Sequence, residues 1–468
     1  MIARLKKIPF PNKLFLVLAL VFGLLMIKTV PPLQAPDEVG HFAKAVAFSE
    51  FKIQPKSFSD ESHEKTRTNK KNWNTFGFKL PKEIKSMNSY SLDKAGKYEK
   101  PPYHYIHNKK ANKEGREWVP TGGITNYHFF SYLPQIIGIS FGKVLGKPII
   151  EQYYAARYFN LIAYIVIVSF AIWKFPFSKL GATVLALNPM ALFLASSTSG
   201  DGMIIAVSFL FIAWLLNLIK KQTISNPMLL FNGFLMVVLV LMKPTLITLG
   251  LLFFLIPNKS FNPKRKAVWG ITIFIASIFF YVTWNKLMID QQTLYRDFAN
   301  PGKQLALFLK KPAIFFDNFH ENYLFGVKGD DIIYSFVGKF GLLDTPLGLH
   351  WIIVYIISFI LAALVQEEKS TLAIHQRMIL ITMLVAYTFL TFFALYQIWN
   401  KVGRTDAIEG VQGRYFIPVS LSIIPLFSSK EKLLNIKPVK INMIVSGLLF
   451  LVLVATIVIL TTRYPTTF

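Results

Sequence analysis

The 468-residue chain contains no cysteine. That excludes a disulfide framework, thiol catalysis and any Cys-ligated metal. Acidic residues are scarce, 25 Asp and Glu against 51 Lys and Arg, for a formal net charge of +26. A Gly-rich phosphate loop is missing, which argues against a nucleotide donor. His41, His63, His104, His107 and His128 lack the HExxH or paired spacing of a metal site, so protein-ligated zinc is not expected. Neither a heptad pattern nor an internal repeat is found.

What the chain has in quantity is apolar sequence: 53% of residues are hydrophobic and 15% aromatic. Many runs approach the roughly 20 apolar residues needed to cross a bilayer. Backbone groups in lipid must be satisfied within the segment, so such spans are helical, and an all-α polytopic membrane protein is predicted. The first run, Phe10 to Val30, has a basic flank (Arg4, Lys6, Lys7, Lys13) that would also suit a signal peptide. No small-residue cleavage site follows it, and it reads as a retained signal anchor. Much of the positive charge lies in short connections, where the positive-inside rule accounts for it without nucleic acid. The remainder lies in long loops and favours anionic partners such as lipid headgroups, polyprenyl phosphates or acidic wall polymers.

Residues 34 to about 127 are polar, rich in Lys, Asn and Ser and broken by Pro55, Pro81, Pro101 and Pro102, a composition that resembles a partly ordered loop more than a compact domain. The run 129–145 is short for a span and is interrupted by Pro134 and glycines. Charge parity decides its place: the basic connections at 174–179, 220–221, 259–266, 369–377 and 430–440 all fall inside only if 129–145 is an outer juxtamembrane helix. The expected spans are then 10–30, 153–173, 178–197, 201–219, 228–243, 245–257, 267–286, 350–366, 375–399, 413–428 and 441–462. These make about eleven transmembrane helices, with the N-terminus cytoplasmic and the C-terminus outside. One membrane domain, 1–468, carries a first extracytoplasmic loop at 34–152 and a second at 287–349.

The stretch QAPDEVGHFAKAVAFSE, Gln34 to Glu50, follows the first span directly. If Pro36 opens a helix, Asp37, His41 and Lys44 share one face at i, i+4 and i+7. Read alone, Asp37 and Glu38 equally suit the positive end of a helix dipole. Parity puts further polar residues on the same outer face: Arg157, Asp201 in SSTSGDG, Lys243 in LMKPT, Asp344 in FGLLDTP, and Gln412 and Arg414. Each also has a plain structural reading. Arg157, Lys243 and Arg414 suit snorkelling cations, Asp201 suits a helix cap, and Asp344 suits a turn with Thr345 and Pro346.

Taken in order, PDEVGHFAKA, NYHFFSYLP, AARYFN, LNPMALFLASSTSGD, LMKPT, GKFGLLDTPLG and GVQGRYFIP resemble an uncharacterised family of bacterial multi-pass membrane proteins with PDE-x-x-HF near the start and QGRYF near the end. That family is similar in turn to GT-C fold glycosyltransferases, which use polyprenyl-phosphate sugars. The likeness implies a GT-C-like bundle in a bacterial plasma membrane. Asp37 would be the catalytic acid or base with Glu38 as its alternate, and Arg414, Lys243 and Arg157 would hold the donor phosphate. His41, His128, Asp201, Asp344 and Gln412 are further site candidates. The usual motif has two prolines where Phe129 and Phe130 stand, which leaves the role of His128 open; YEKPPY at 98–103 matches a related motif but sits in the wrong place. The implied reaction moves a sugar to a cell-envelope polymer or lipid acceptor, attractive as an anionic one, on the outer face of the membrane, with inversion. A divalent cation, Mg or Mn, bridging Asp37 and Asp201 is compatible with this chemistry. The alternatives are a transporter or flippase of lipid-linked glycans, which would place polar groups at mid-membrane, and a structural membrane partner.

Overall fold

The computed structural model describes residues 8–57, 76–87, 115–288, 298–365, 372–429 and 437–465. The YEKPPY stretch, His63, His104 and His107 lie outside them. Among the described residues the α-helices of ten residues or more are α1 Phe10–Thr29, α2 Glu38–Ser49, α3 Leu133–Val144, α4 Ile149–Lys174, α5 Asp201–Leu218, α6 Asn226–Met242, α7 Pro263–Leu287, α8 Pro301–Lys310, α9 Lys328–Val337, α10 Leu349–Leu364, α11 Ile374–Trp399 and α12 Pro438–Arg463.

Of the eleven apolar runs, six form single helices long and apolar enough to cross a membrane: α1, α4, α5, α7, α11 and α12. Four are shorter: α6, α10 and the segments Pro244–Leu255 and Gly413–Phe427. Pro244–Leu255 is a 3-10 helix, which rises about 2.0 Å per residue and so reaches further than an α-helix of equal length. The eleventh, expected at 178–197, is a broken pair, Lys179–Ala186 and Pro189–Ala195. Asn188 makes the break: its carboxamide oxygen accepts from the Met190 and Ala191 amides at 2.9 and 3.1 Å, and Pro189 opens the second helix. Both halves are buried in the main core.

The bundle has two chemically different ends. At one, the flanks of the basic connections meet: Asn12 donates to the Ser169 carbonyl, Thr183 to Pro11, Gln376 to Leu255 and Arg377 to Leu426. At the other, Arg157 reaches the Val30 carbonyl, Arg463 pairs with Asp344, and Arg414 meets Asp37 and Asp201.

The segment 129–145 folds as a 3-10 turn, Phe129–Tyr132, and the 12-residue α3. α3 is about 18 Å long, well short of a bilayer core. It packs antiparallel on the first turns of α4: a Cβ on Gly138 would lie 2.6 Å from the Ala155 carbonyl oxygen, and one on Gly142 2.9 Å from Gln152. α1 packs lower on the same helix, with Gly23 against Leu161 and Phe15 against Tyr164, and ends at Arg157. α3 therefore sits beside and beyond the end of α1. A left-handed Gly146 ends α3 and Pro148 precedes α4, which makes the hairpin tight.

The first loop holds more order than its composition implies. β1 Lys56–Ser57, β2 Phe76–Pro81 and β3 Arg116–Pro120 form an antiparallel sheet in the order β1-β2-β3, with Phe78 opposite Val119. Phe78, Leu80 and Val119 join Phe42 and Val46 of α2, Ile139 of α3 and Trp284 of α7 in a second buried cluster. The ordered part of the loop thus packs into a core shared with the bundle helices, consistent with a partly ordered loop that is not a compact domain by itself. In the second loop, Phe315 packs with Phe392 and Tyr396 of α11. β4 Lys339–Phe340 and β5 Thr345–Pro346 form a hairpin before α10.

Candidate functional site

Around Asp37 the chain from Pro31 to Glu38 is buried except for Asp37 itself. Its backbone is left-handed, φ 57° and ψ 15°, a conformation sparsely used by residues with a Cβ. Helix α2 begins one residue later. Asp37 thus stands just outside the helix and does not share a face with His41 and Lys44, as a helix opened by Pro36 would require. Its carboxylate caps nothing. Instead Oδ2 accepts from Nη2 of Arg414 at 3.1 Å, across 377 residues of sequence. Among the described residues Oδ1 has no hydrogen-bond partner, and the side chain is 45% exposed.

Arg414 is the centre of the cluster and is 3% exposed. Nη1 donates to Asp201 Oδ2 at 3.2 Å and Nε to Gln412 Oε1 at 2.6 Å, so each guanidinium nitrogen has a named partner. Asp201 is free for this because the Ser199 hydroxyl takes the capping role, accepting from the Asp201 amide at 3.2 Å. Gly413 is required by close packing: a Cβ there would lie 1.8 Å from the Ile332 carbonyl oxygen of α9. The Gly413 amide donates to the Ser335 hydroxyl at 2.7 Å, which fixes the GRYF turn against α9. Lys243, where α6 gives way to the 3-10 helix, places its amine 4.2 Å from the centroid of the Tyr415 ring. Among the described residues no carboxylate is within ion-pair distance of it, and Asp201 acts on it through space. Tyr415, whose ring also lies 5.3 Å from the Arg414 guanidinium carbon, is a site residue that the sequence reading passed over, although it stands within QGRYF.

Glu38 and Arg157 play another part. The Arg157 side chain is 1% exposed and that of Glu38 is 0%. Arg157 donates from Nε and Nη2 to the two Glu38 oxygens at 3.2 and 3.0 Å, and from Nη1 and Nη2 to the Val30 and Pro31 carbonyls at 2.7 and 3.1 Å. Glu38 also accepts from the Tyr153 hydroxyl (2.7 Å), the Thr198 amide (2.9 Å) and the Ala35 amide (3.0 Å). Burial acts to raise the Glu38 carboxyl, but Arg157 and these donors outweigh it and hold it below its ordinary value. A guanidinium enclosed in this way presents no face to a phosphate, and a carboxylate so fully bonded has no accessible lone pair. The expected roles of Arg157 as a phosphate ligand and Glu38 as an alternate acid are therefore replaced by a clamp. It joins the end of α1, the start of α2, α4 and the Ser197–Ser199 turn, and it fixes the backbone that carries Asp37.

The remaining candidates separate. His41 is buried, with Nδ1 2.7 Å from the Tyr132 hydroxyl, and burial lowers its pKa despite the nearby acids. Lys44 is fully buried with no acid paired to it among the described residues, donating to the Ile124 carbonyl at 3.1 Å and to that of Thr125. Asp344 holds its own turn, accepting from Thr345 (3.0 Å) and pairing with Arg463 (2.9 Å), and makes no contact with the Asp37 cluster. His128 caps the 129–132 turn and packs on Trp284 with ring centroids 4.3 Å apart.

Burial, assisted by the Lys44 charge, pushes the His128 imidazole down to about 3. A folded value below the unfolded one, roughly 6.5, means that its stabilisation is fully present above that pH. It is lost as pH falls from there toward the folded value. Ring NMR signals of His128 are expected to show no titration between about pH 5 and 8, and a midpoint near the unfolded value would contradict the burial.

The donor set does not fit a metal bridging Asp37 and Asp201. Oδ2 of each is bonded to Arg414, so a dication between them would stand against the guanidinium. Among the described residues no third His, Asp or Glu joins them.

No curated protein and no solved structure matches the chain. Residues 20–423 match the family model described as Predicted membrane protein (DUF2142), and with most of its length covered the chain belongs to that family of membrane proteins.

Proposed function

We propose that the chain is a membrane glycosyltransferase that moves a sugar from a polyprenyl-phosphate donor to a hydroxyl of a cell-envelope polymer or lipid. The observation that carries this reading is the pairing of an accessible Asp37 oxygen with the buried Arg414, beside the half-buried Lys243, at one end of a membrane bundle. By the positive-inside rule the end that gathers the basic connections is cytoplasmic, and the Asp37 end faces out from a bacterial plasma membrane. A donor whose lipid tail stays in the bilayer presents its phosphate and sugar at that level.

In this reading Asp37 Oδ1 accepts the proton of the acceptor hydroxyl as that oxygen bonds to the anomeric carbon. The bond from that carbon to the phosphate oxygen breaks, its electron pair leaves with polyprenyl phosphate, and the anomeric configuration inverts. Lys243 is the phosphate ligand best placed, because its charge is not already matched by a carboxylate. Arg414, shared by two acids, orients Asp37 and supplies part of the same field. Asp201 and Gln412 hold Arg414. The excess of Lys in the outer loops favours an anionic acceptor.

Lys243→Met removes the charge while keeping an unbranched side chain. A charge-assisted hydrogen bond contributes ~1.5–3 kcal/mol, so KM for the lipid-phosphate donor is expected to rise about 10- to 100-fold in proteoliposomes. Unchanged kinetics would remove Lys243 from the site. Passage of labelled lipid-linked glycan across the bilayer with no sugar transferred would favour the transporter reading instead.

A further inference from the structure

From Lys266 at the end of the bundle opposite Asp37 up to Ile247, α5, α6, the Pro244–Leu255 helix and α7 line a cavity of about 400 Å³. Its lining is almost wholly apolar. From Lys266 to Ser277 it climbs eleven residues of α7, about 17 Å of helix, or roughly half the thickness of a bilayer core. Its rim residues Phe254, Ile271 and Phe274 are 57–59% exposed on the outside of the bundle, so the cavity opens sideways into the bilayer.

Three polar side chains line it. The Lys266 amine donates to the Ile256 carbonyl at 2.6 Å and the Ser277 hydroxyl to that of Ile273 at 2.7 Å. Asn232 is 2% exposed, and its Oδ1 has no hydrogen-bond partner among the described residues. It lies six residues into α6, about 9 Å from the helix start. Next to Lys266, Lys264 and Arg265 are exposed in the first turn of α7, where Arg265 donates to Asn226 Oδ1. A cation cluster at the membrane surface attracts anionic headgroups.

We infer that this cavity is a binding site for an anionic phospholipid of the leaflet at the basic end. One acyl chain enters between α6 and α7 through the Phe254 and Phe274 rim, Asn232 meets the ester region, and Lys264 and Arg265 face the phosphate. The site is separate from the Asp37 cluster and does not depend on sugar transfer. Lipid bound here would support α7, which leans on the bundle through α6 and the 3-10 helix and otherwise exposes most of its surface.

Two glycines make the test clean. Gly270 and Gly250 line the cavity, and a Cβ on them would meet nothing nearer than 3.6 and 3.9 Å. A Cβ at either position is accommodated, and leucine there extends a larger apolar side chain from the cavity wall. The full chain, purified in detergent without added lipid, is examined by native mass spectrometry and then offered vesicles of phosphatidylglycerol or phosphatidylcholine. Wild type is expected to retain about one anionic phospholipid and to prefer phosphatidylglycerol at least tenfold. Gly270→Leu and Gly250→Leu lose that lipid at least tenfold while their thermal unfolding stays at or above that of delipidated wild type. Lys264→Ala with Arg265→Ala keeps a lipid and loses the preference for phosphatidylglycerol. Equal lipid occupancy in wild type and both leucine variants overturns the inference, as does a retained species that is uncharged or is a polyprenyl phosphate.

Discussion

Asp37→Asn is expected to lower the turnover of sugar transfer by about 10²- to 10⁴-fold, the range that general base catalysis supplies. Asn is the informative replacement at this position. It has nearly the same volume, it tolerates the left-handed backbone that Asp37 adopts, and it keeps an oxygen to accept from Arg414. What it loses is the capacity to take a proton. KM for the lipid-linked donor should therefore change little while kcat falls; a wild-type thermal unfolding profile and kcat normalised to folded protein separate this from a loss of active chain. Asp37→Ala is a poorer probe, because it also unpairs one face of a buried guanidinium. Transfer within about twofold of wild type in Asp37→Asn, measured with a labelled polyprenyl-phosphate sugar in proteoliposomes, would remove Asp37 from the chemistry.

The second large effect concerns stability. Removing either partner of the Glu38–Arg157 pair leaves a charge buried in a site with almost no exposure, and such changes cost about 3–5 kcal/mol. Glu38→Ala loses the acceptor of Arg157, Tyr153, Thr198 and Ala35 together; Arg157→Ala unpins the Val30 and Pro31 carbonyls as well. Both should shift the heat-induced loss of the monodisperse protein by many degrees and leave little active chain. The double variant Glu38→Gln with Arg157→Met is expected to be milder than either single alanine, since no charge is stranded. A Glu38→Ala chain as heat-resistant as wild type would show that the clamp is dispensable.

These two acids are neighbours in sequence and alike in chemistry, and nothing in PDE distinguishes them. A one-residue step in the backbone separates their fates: Asp37, left-handed, turns outward to Arg414, and Glu38, the first helical residue, turns inward to Arg157. The periodicity that put Asp37, His41 and Lys44 on one face assumed a helix opened by Pro36, which in fact begins two residues later, at Glu38. His41 and Lys44 then find Tyr132 and the Ile124 and Thr125 carbonyls, partners that no spacing rule could name. Arg157 and Arg414 show the same limit. Each is a cation near a span end, and only its surroundings tell a sealed clamp from a shared, solvent-bordering one.

The sequence by itself determined the membrane class, the helical character and the two-ended charge pattern, because these follow from hydrophobic run length and from where Lys and Arg fall. It also put Asp37, Glu38, His41, Arg157, Asp201, Lys243, Asp344, Gln412 and Arg414 at one end, because alternate turns of a membrane bundle emerge on one face. The tertiary structure alone decided which of these residues touch. It separated Asp344 and His128 from the cluster, enclosed Glu38 and Arg157, broke the 178–197 run at Asn188, and folded a small sheet of the first loop against the bundle. The reason is geometric. Composition and spacing set which end of the bundle a residue reaches, while contacts across 377 residues, such as that between Asp37 and Arg414, depend on how the helices pack.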